Sequence, residues 1–117
     1  MAVIFQHPGQ TVVFEFSFNA SQEQSVVIYE AGKPIATRNS DSDKSNFEPG
    51  KNNGNEIKQF SISGLFKYKR SGEVPWHKSE EKQLLNDKNK IIIGYNDRTN
   101  GETDSDFDDA VVRVSFS

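Results

Sequence analysis

Cysteine is absent from this chain of 117 residues, so no disulfide framework and no thiolate metal site can form. Hydrophobic residues are sparse at 33%. No apolar run approaches the roughly 20 residues of a membrane span. The opening Met1-Ala2-Val3-Ile4-Phe5-Gln6-His7-Pro8 has no basic stretch leading into a sustained apolar one, so no secretory signal is visible and the compartment stays open. Basic residues are not in excess. The formal net charge is −3, which argues against a general nucleic-acid binder. Helical periodicity is missing as well. What the chain does have is phenylalanine, nine in all, and each buried ring removes a large apolar area from water. The length suits one domain, spanning 1–117, with a single modest core.

Period-two alternation runs through most of the chain. From Thr11 to Phe18, Val12, Phe14, Phe16 and Phe18 share one face. Ser25 to Tyr29 reads as a short strand, and Glu30-Ala31-Gly32-Lys33 as a turn into Pro34-Ile35-Ala36-Thr37, a hairpin. Further strands are expected at Gln59–Phe66, Lys90–Tyr95 and Ala110–Phe116. Two polar stretches interrupt them. The segment 39–56 has Phe47 as its one large apolar residue and reads as a long exposed loop. The segment 67–90 is charged, with a helical turn or two expected at Ser79–Leu85. The architecture expected is an all-β, antiparallel β-sandwich.

Chemistry concentrates between the last two strands. There Asp104, Asp106, Asp108 and Asp109 put four carboxylates into six residues, just before a strongly β sequence. Left unneutralised they repel one another and raise each other's pKa values. A divalent cation removes that conflict, and calcium, which takes about 6–8 oxygen ligands in flexible geometry, suits them best. An EF-hand is excluded. Counted from Asp104, the glycine and glutamate that such a loop needs are replaced by Asp109 and Ser115. Asp41 and Asp43, the weaker acidic pair, read as solvated. His7 and His77 lack a nucleophile or a metal-ligand spacing, so the residues do not describe an enzyme.

The stretch Asp104-Ser105-Asp106-Phe107-Asp108-Asp109-Ala110-Val111-Val112 resembles the calcium loop of the bacterial calcium-dependent fucose- and mannose-binding lectins. Phe18-Asn19-Ala20-Ser21-Gln22-Glu23-Gln24-Ser25-Val26 is similar to their Asn-Ser-Ser loop and following strand. The resemblance implies two calcium ions held by Asp104, Asp106 and Asp109. Asp108 stands where the family has Asn, and Asn96 where it has Glu. Asn19 would add its side-chain oxygen. It implies carbohydrate as the partner, with sugar hydroxyls meeting the ions directly, Ala20, Ser21 and Gln22 tuning the choice of sugar and Asp97 hydrogen-bonding it. Ala20, in place of serine, points to mannose-type over fucose-type ligands. The family also inserts its C-terminal carboxylate into a partner's site, which makes a homodimer an expectation, although this chain ends at Ser117, short of the family's length. Two rival readings stand beside this one. One is a structural calcium-binding sandwich without sugar. The other makes Trp76 and Tyr68 an aromatic sugar platform.

Overall fold

A computed structural model describes residues 1–20, 22–68, 75–97 and 107–117. Ten strands follow in order: β1 (Ala2–Gln6), β2 (Thr11–Phe18), β3 (Glu23–Glu30), β4 (Lys33–Asn39), β5 (Phe47–Lys51), β6 (Lys58–Lys67), β7 (His77–Lys78), β8 (Glu80–Asn86), β9 (Lys90–Asn96) and β10 (Ala110–Phe116). They form two antiparallel sheets, β1-β6-β3-β4 with β7 on β6, and β5-β2-β10-β9-β8. The fold is the expected all-β sandwich.

The alternation explains the core. On β2, Val12 and Phe14 are fully buried, and they meet Val112 and Val114 of β10, Ile93 and Tyr95 of β9, and Ile4, Ile28, Phe60 and Ile62 from the facing sheet. Phe14 sets its ring edge-on to Phe60 with centroids 5.5 Å apart, an arrangement that adds to the area buried. The β3–β4 hairpin turns on Ala31 (φ 50°) and Gly32 (φ 81°). Positive φ at both central residues is the mirror-image turn whose twist matches the flanking strands, and glycine takes it without strain.

Three expectations need correction. The segment 39–56 is not a featureless exposed loop. It contains β5, which pairs with β2 across an irregularity where Gly50 takes φ 92°. Its polar residues are tied down: Arg38 donates to the Ser45 and Asn46 carbonyls at 2.7 and 3.2 Å. Asp43 accepts from the Ser45 hydroxyl and amide at 2.6 and 3.0 Å, and these bonds, then Arg38, hold its carboxyl below the usual range. Asn52, 1% exposed, donates to the carbonyls of Gln6 and Glu56 at 3.0 and 2.8 Å. Polar composition here signals both solvation and hydrogen bonding, for Asp41 to Asn46 are exposed as expected while Asn52 is buried with its bonds made.

The second correction concerns Ser79–Leu85, which is not helical but runs into strand β8, Glu80–Asn86. β8 is an edge strand, where charged residues guard an open sheet margin. The register skips at Leu84, since Gln83 faces Ile93 and Leu85 faces Ile92. That bulge breaks the period of two and sets two leucines side by side, which mimics a helical pattern. The third is β1, a strand absent from those expected, which pairs with β6 from Ala2–Ile62 to Gln6–Lys58. Among the described residues no helix is long and apolar enough to cross a membrane.

Tyr95 gives the core a pH limit. Its hydroxyl, in a residue 1% exposed, donates to Glu81 Oε1 at 2.8 Å. Burial above all, and then the Glu81 carboxylate, push the phenol far above its usual range. An unfolded tyrosine ionises near pH 10. The native state keeps its proton there, so this contribution is intact below about pH 10 and is lost progressively as pH rises further. Tyr95→Phe is expected to flatten the alkaline fall in stability, while costing about 1 kcal/mol at neutral pH for the lost hydrogen bond. Urea melts from pH 7 to 11 on both proteins check this; parallel alkaline slopes would refute it.

Candidate functional site

The site forms where three neighbouring strands of one sheet end together. Ala110 pairs with Phe18 on one side and with Tyr95 on the other. One step further along each strand, Asn19 and Asn96 therefore flank Asp109. The ladder continues into this row: Asn19 N donates to Asp109 O at 3.0 Å, and Asp109 N to Tyr95 O at 3.1 Å. Asn19 Nδ2 donates to Asp108 Oδ2 at 3.1 Å, which turns the amide oxygen to the other side. Asp97 N donates to Asp109 Oδ2 at 2.8 Å. Asn19 and Asp108 are exposed, Asp97 and Ala20 half-buried, and Asp109 and Asn96 buried at 7% and 0% exposure.

The approach of residues 107–109 to the sheet dictates a glycine. A Cβ built on Gly94 would collide with the backbone oxygen of Phe107 and lie 2.8 Å from Leu84 Cδ1. Phe107 itself takes φ 53°, and Lys82 Nζ lies 5.7 Å from its ring centroid. An unusual backbone angle on a bulky residue needs surrounding structure to hold it, and this cation supplies part of it.

Of the residues singled out in the sequence, Asn19, Asn96, Asp97, Asp108 and Asp109 are brought together. Ala20 and Gln22 lie on the loop that leaves Asn19. Asp104, Asp106 and Ser21 fall outside the described residues. Among the described residues, no three His, Cys, Asp or Glu side chains group closely enough to hold a metal. The oxygen donors that are described, the adjacent carboxylates of Asp108 and Asp109 and the side-chain amide of Asn19, have the hard-ligand character calcium selects.

Gln24 is a site residue that sequence reasoning does not single out. It is fully buried on the opposite sheet, and its Nε2 donates to Asp97 Oδ2 at 3.2 Å and to Gln22 O at 3.3 Å. It thus fastens Gln22 to Asp97 across the gap between the sheets. A signal for it exists, for alternation puts Gln24 on the same face as Val26 and Ile28, and an amide on an inward face demands partners.

Tyr68 is half-buried. Its ring packs against Phe66 at 5.5 Å and His77 at 5.7 Å. Concavity points elsewhere: a groove of about 570 Å³ opens between β1 and β8–β9, lined by Phe5, Gln10, Gln83 and Ile91 among others. None of the predicted site residues lines it.

No protein-family model matches the sequence, and no curated protein matches it. Solved structures do match in fold. The Chromobacterium violaceum lectin CV2L, in complex with alpha-methyl-fucoside, aligns over 96% of this chain and 92% of its own, with TM-score 0.58 and 18% identity. The Ralstonia solanacearum high-affinity mannose-binding lectin matches with the same coverage, score and identity. The C-terminal domain of the BC2L-C lectin from Burkholderia cenocepacia aligns over 96% of this chain and 91% of that one, with TM-score 0.60 and 18% identity. The chain has the fold of these bacterial lectins.

Proposed function

We propose that this protein is a calcium-dependent carbohydrate-binding protein for mannose- or fucose-type sugars. The observation that carries the reading is the row Asn19–Asp109–Asn96, with Asp97 and Asp108 bonded into it, at one end of a fold shared with sugar-binding lectins. Asp104, Asp106, Asp108 and Asp109 would hold the ions with the side-chain oxygens of Asn19 and Asn96. Calcium, when bound, supplies coordination positions that paired sugar hydroxyls can fill in place of water. The chain's own residues do the rest. Asp97 accepts a hydroxyl proton in a charge-assisted hydrogen bond, and Gln24 fixes the carboxylate that does so. Ala20, Ser21 and Gln22 border the sugar, and the methyl of Ala20, which offers no hydroxyl, favours mannose-type ligands.

Calcium is expected to stabilise the fold by roughly 2.7 kcal/mol per independent site at about 100 times its dissociation constant. Thermal melts in chelator and in millimolar calcium measure this, and calorimetry with methyl mannoside and methyl fucoside measures the sugar. Melting curves that coincide would remove calcium from the reading. Calcium stabilisation with no heat from either sugar would leave a structural calcium domain.

A further inference from the structure

Glu23 pairs with Lys67, and Gln24 with Phe66, so the start of β3 and the end of β6 lie at the same end of the sandwich as Asn19 and Asp97. Phe66 pairs in turn with His77, which brings Trp76 to that end as well. Around it the aromatics divide into two kinds. Phe66, Tyr68 and His77 pack on one another with centroids 5.4–5.7 Å apart, and Phe66 is fully buried. Trp76 is 41% exposed. Phe5, the other exposed large aromatic among the described residues, pairs with Gln59 toward the opposite end.

The indole is not loose. Lys67 Nζ sits 4.8 Å from its centroid, and the same ammonium pairs with Glu23 Oε1 at 3.6 Å. Glu23 Oε2 accepts from Asn39 Nδ2 at 2.8 Å, which fixes the carboxylate. An oriented aromatic surface, with an ammonium and a carboxylate beside it, is the combination a pyranose ring needs. Its C–H face stacks on the indole, and its hydroxyls donate to the carboxylate and accept from the ammonium. A stacked nucleobase fits less well, because a chain of net charge −3 repels a polyanion.

We propose that Trp76, with the Lys67–Glu23 pair, forms a second saccharide subsite that takes a further residue of an oligosaccharide whose terminal sugar sits at Asn19, Asp97 and Asp108. The inference rests on the carbohydrate reading above. From β3 across β6 to β7 is two strand spacings, about 10 Å, and Asp97, at the end of β9, belongs to the facing sheet about 10 Å away, a separation beyond a monosaccharide and within the reach of an oligosaccharide.

Trp76 is the chain's one tryptophan, so its fluorescence reports this subsite alone. Calorimetry and emission are recorded together, in calcium, with methyl mannoside and with a linear mannotriose. Both sugars are expected to release heat, and only the trisaccharide to shift the emission. Trp76→Ala is expected to bind methyl mannoside as the parent does and mannotriose about three- to tenfold more weakly, with Trp76→Phe recovering most of the loss. Equal mannotriose affinity in parent and alanine variant, or emission indifferent to a trisaccharide that demonstrably binds, would overturn the subsite and spare the primary site. Absence of heat from both sugars would overturn the carbohydrate reading and the subsite with it.

Discussion

Asp109→Asn is expected to abolish the calcium response while leaving the calcium-free fold close to its parent in stability. Asp109 is buried, accepts the Asp97 amide at 2.8 Å, and is tied through its own backbone to Asn19 and Tyr95. An asparagine keeps the shape and can still accept from Asp97 N. It removes one negative charge from a crowded acidic loop, which without calcium relieves repulsion. With calcium it removes a charged ligand. Asp109→Ala should behave differently, because the Asp97 N–H loses its acceptor, at about 1–3 kcal/mol even in chelator. The pair of variants separates charge from hydrogen bonding. Sugar affinity should fall at least about 100-fold in both, which is about 2.7 kcal/mol. Melts of the three proteins in chelator and in calcium read the outcome. An asparagine variant stabilised by calcium as strongly as its parent would falsify the assignment of Asp109 as a ligand.

Parts of this arrangement are legible in the amino-acid sequence alone. β10 runs over Ala110–Phe116 as its alternation predicts, and β2 over Thr11–Phe18, because a strand with one buried face writes a period of two into its sequence. The acidic loop is visible as a local conflict of charge. The meeting of Asn19 with Asp108, 89 positions apart, is not legible from periodicity; resemblance alone points to it. Periodicity reports which face a residue takes, and says nothing of which strand lies beside it. Residues at exposed margins mislead for a related reason. β8 presents Lys82 to Asn86 to solvent, so no buried face imposes a pattern on it. Asn52 and Gln24 look like any loop or strand amide in a sequence. Only their partners reveal them, carbonyls of Gln6 and Glu56 for one, Asp97 for the other.

Gly64→Ala is expected to be among the most destabilising single changes in the chain, and to weaken the site as well. Gly64 sits on β6, opposite Val26 of β3, with no positive φ to demand glycine. On backbone grounds alone, alanine there would stabilise by about 0.4–1 kcal/mol through the unfolded chain. Packing reverses the sign. A Cβ at Gly64 would fall within the Tyr95 ring, against Cδ1 and 2.7 Å from both Cε1 and Cγ. The ring has little freedom to withdraw, for its hydroxyl is bonded to Glu81 and its carbonyl accepts the Asp109 amide at 3.1 Å. Overpacking of this kind costs about 1–3 kcal/mol, occasionally more. Any shift of Tyr95 that relieves it pulls on Asp109, so calcium affinity should drop together with stability. Tyr95→Leu in the same chain, which opens space for the new methyl, is expected to recover part of the loss. Denaturant melts of the single and double variants, with calcium titrations on each, measure both effects. A Gly64→Ala protein as stable as its parent, or more so, would mean that the sheets separate easily at this point, and that Tyr95 does not couple the core to the strand ends.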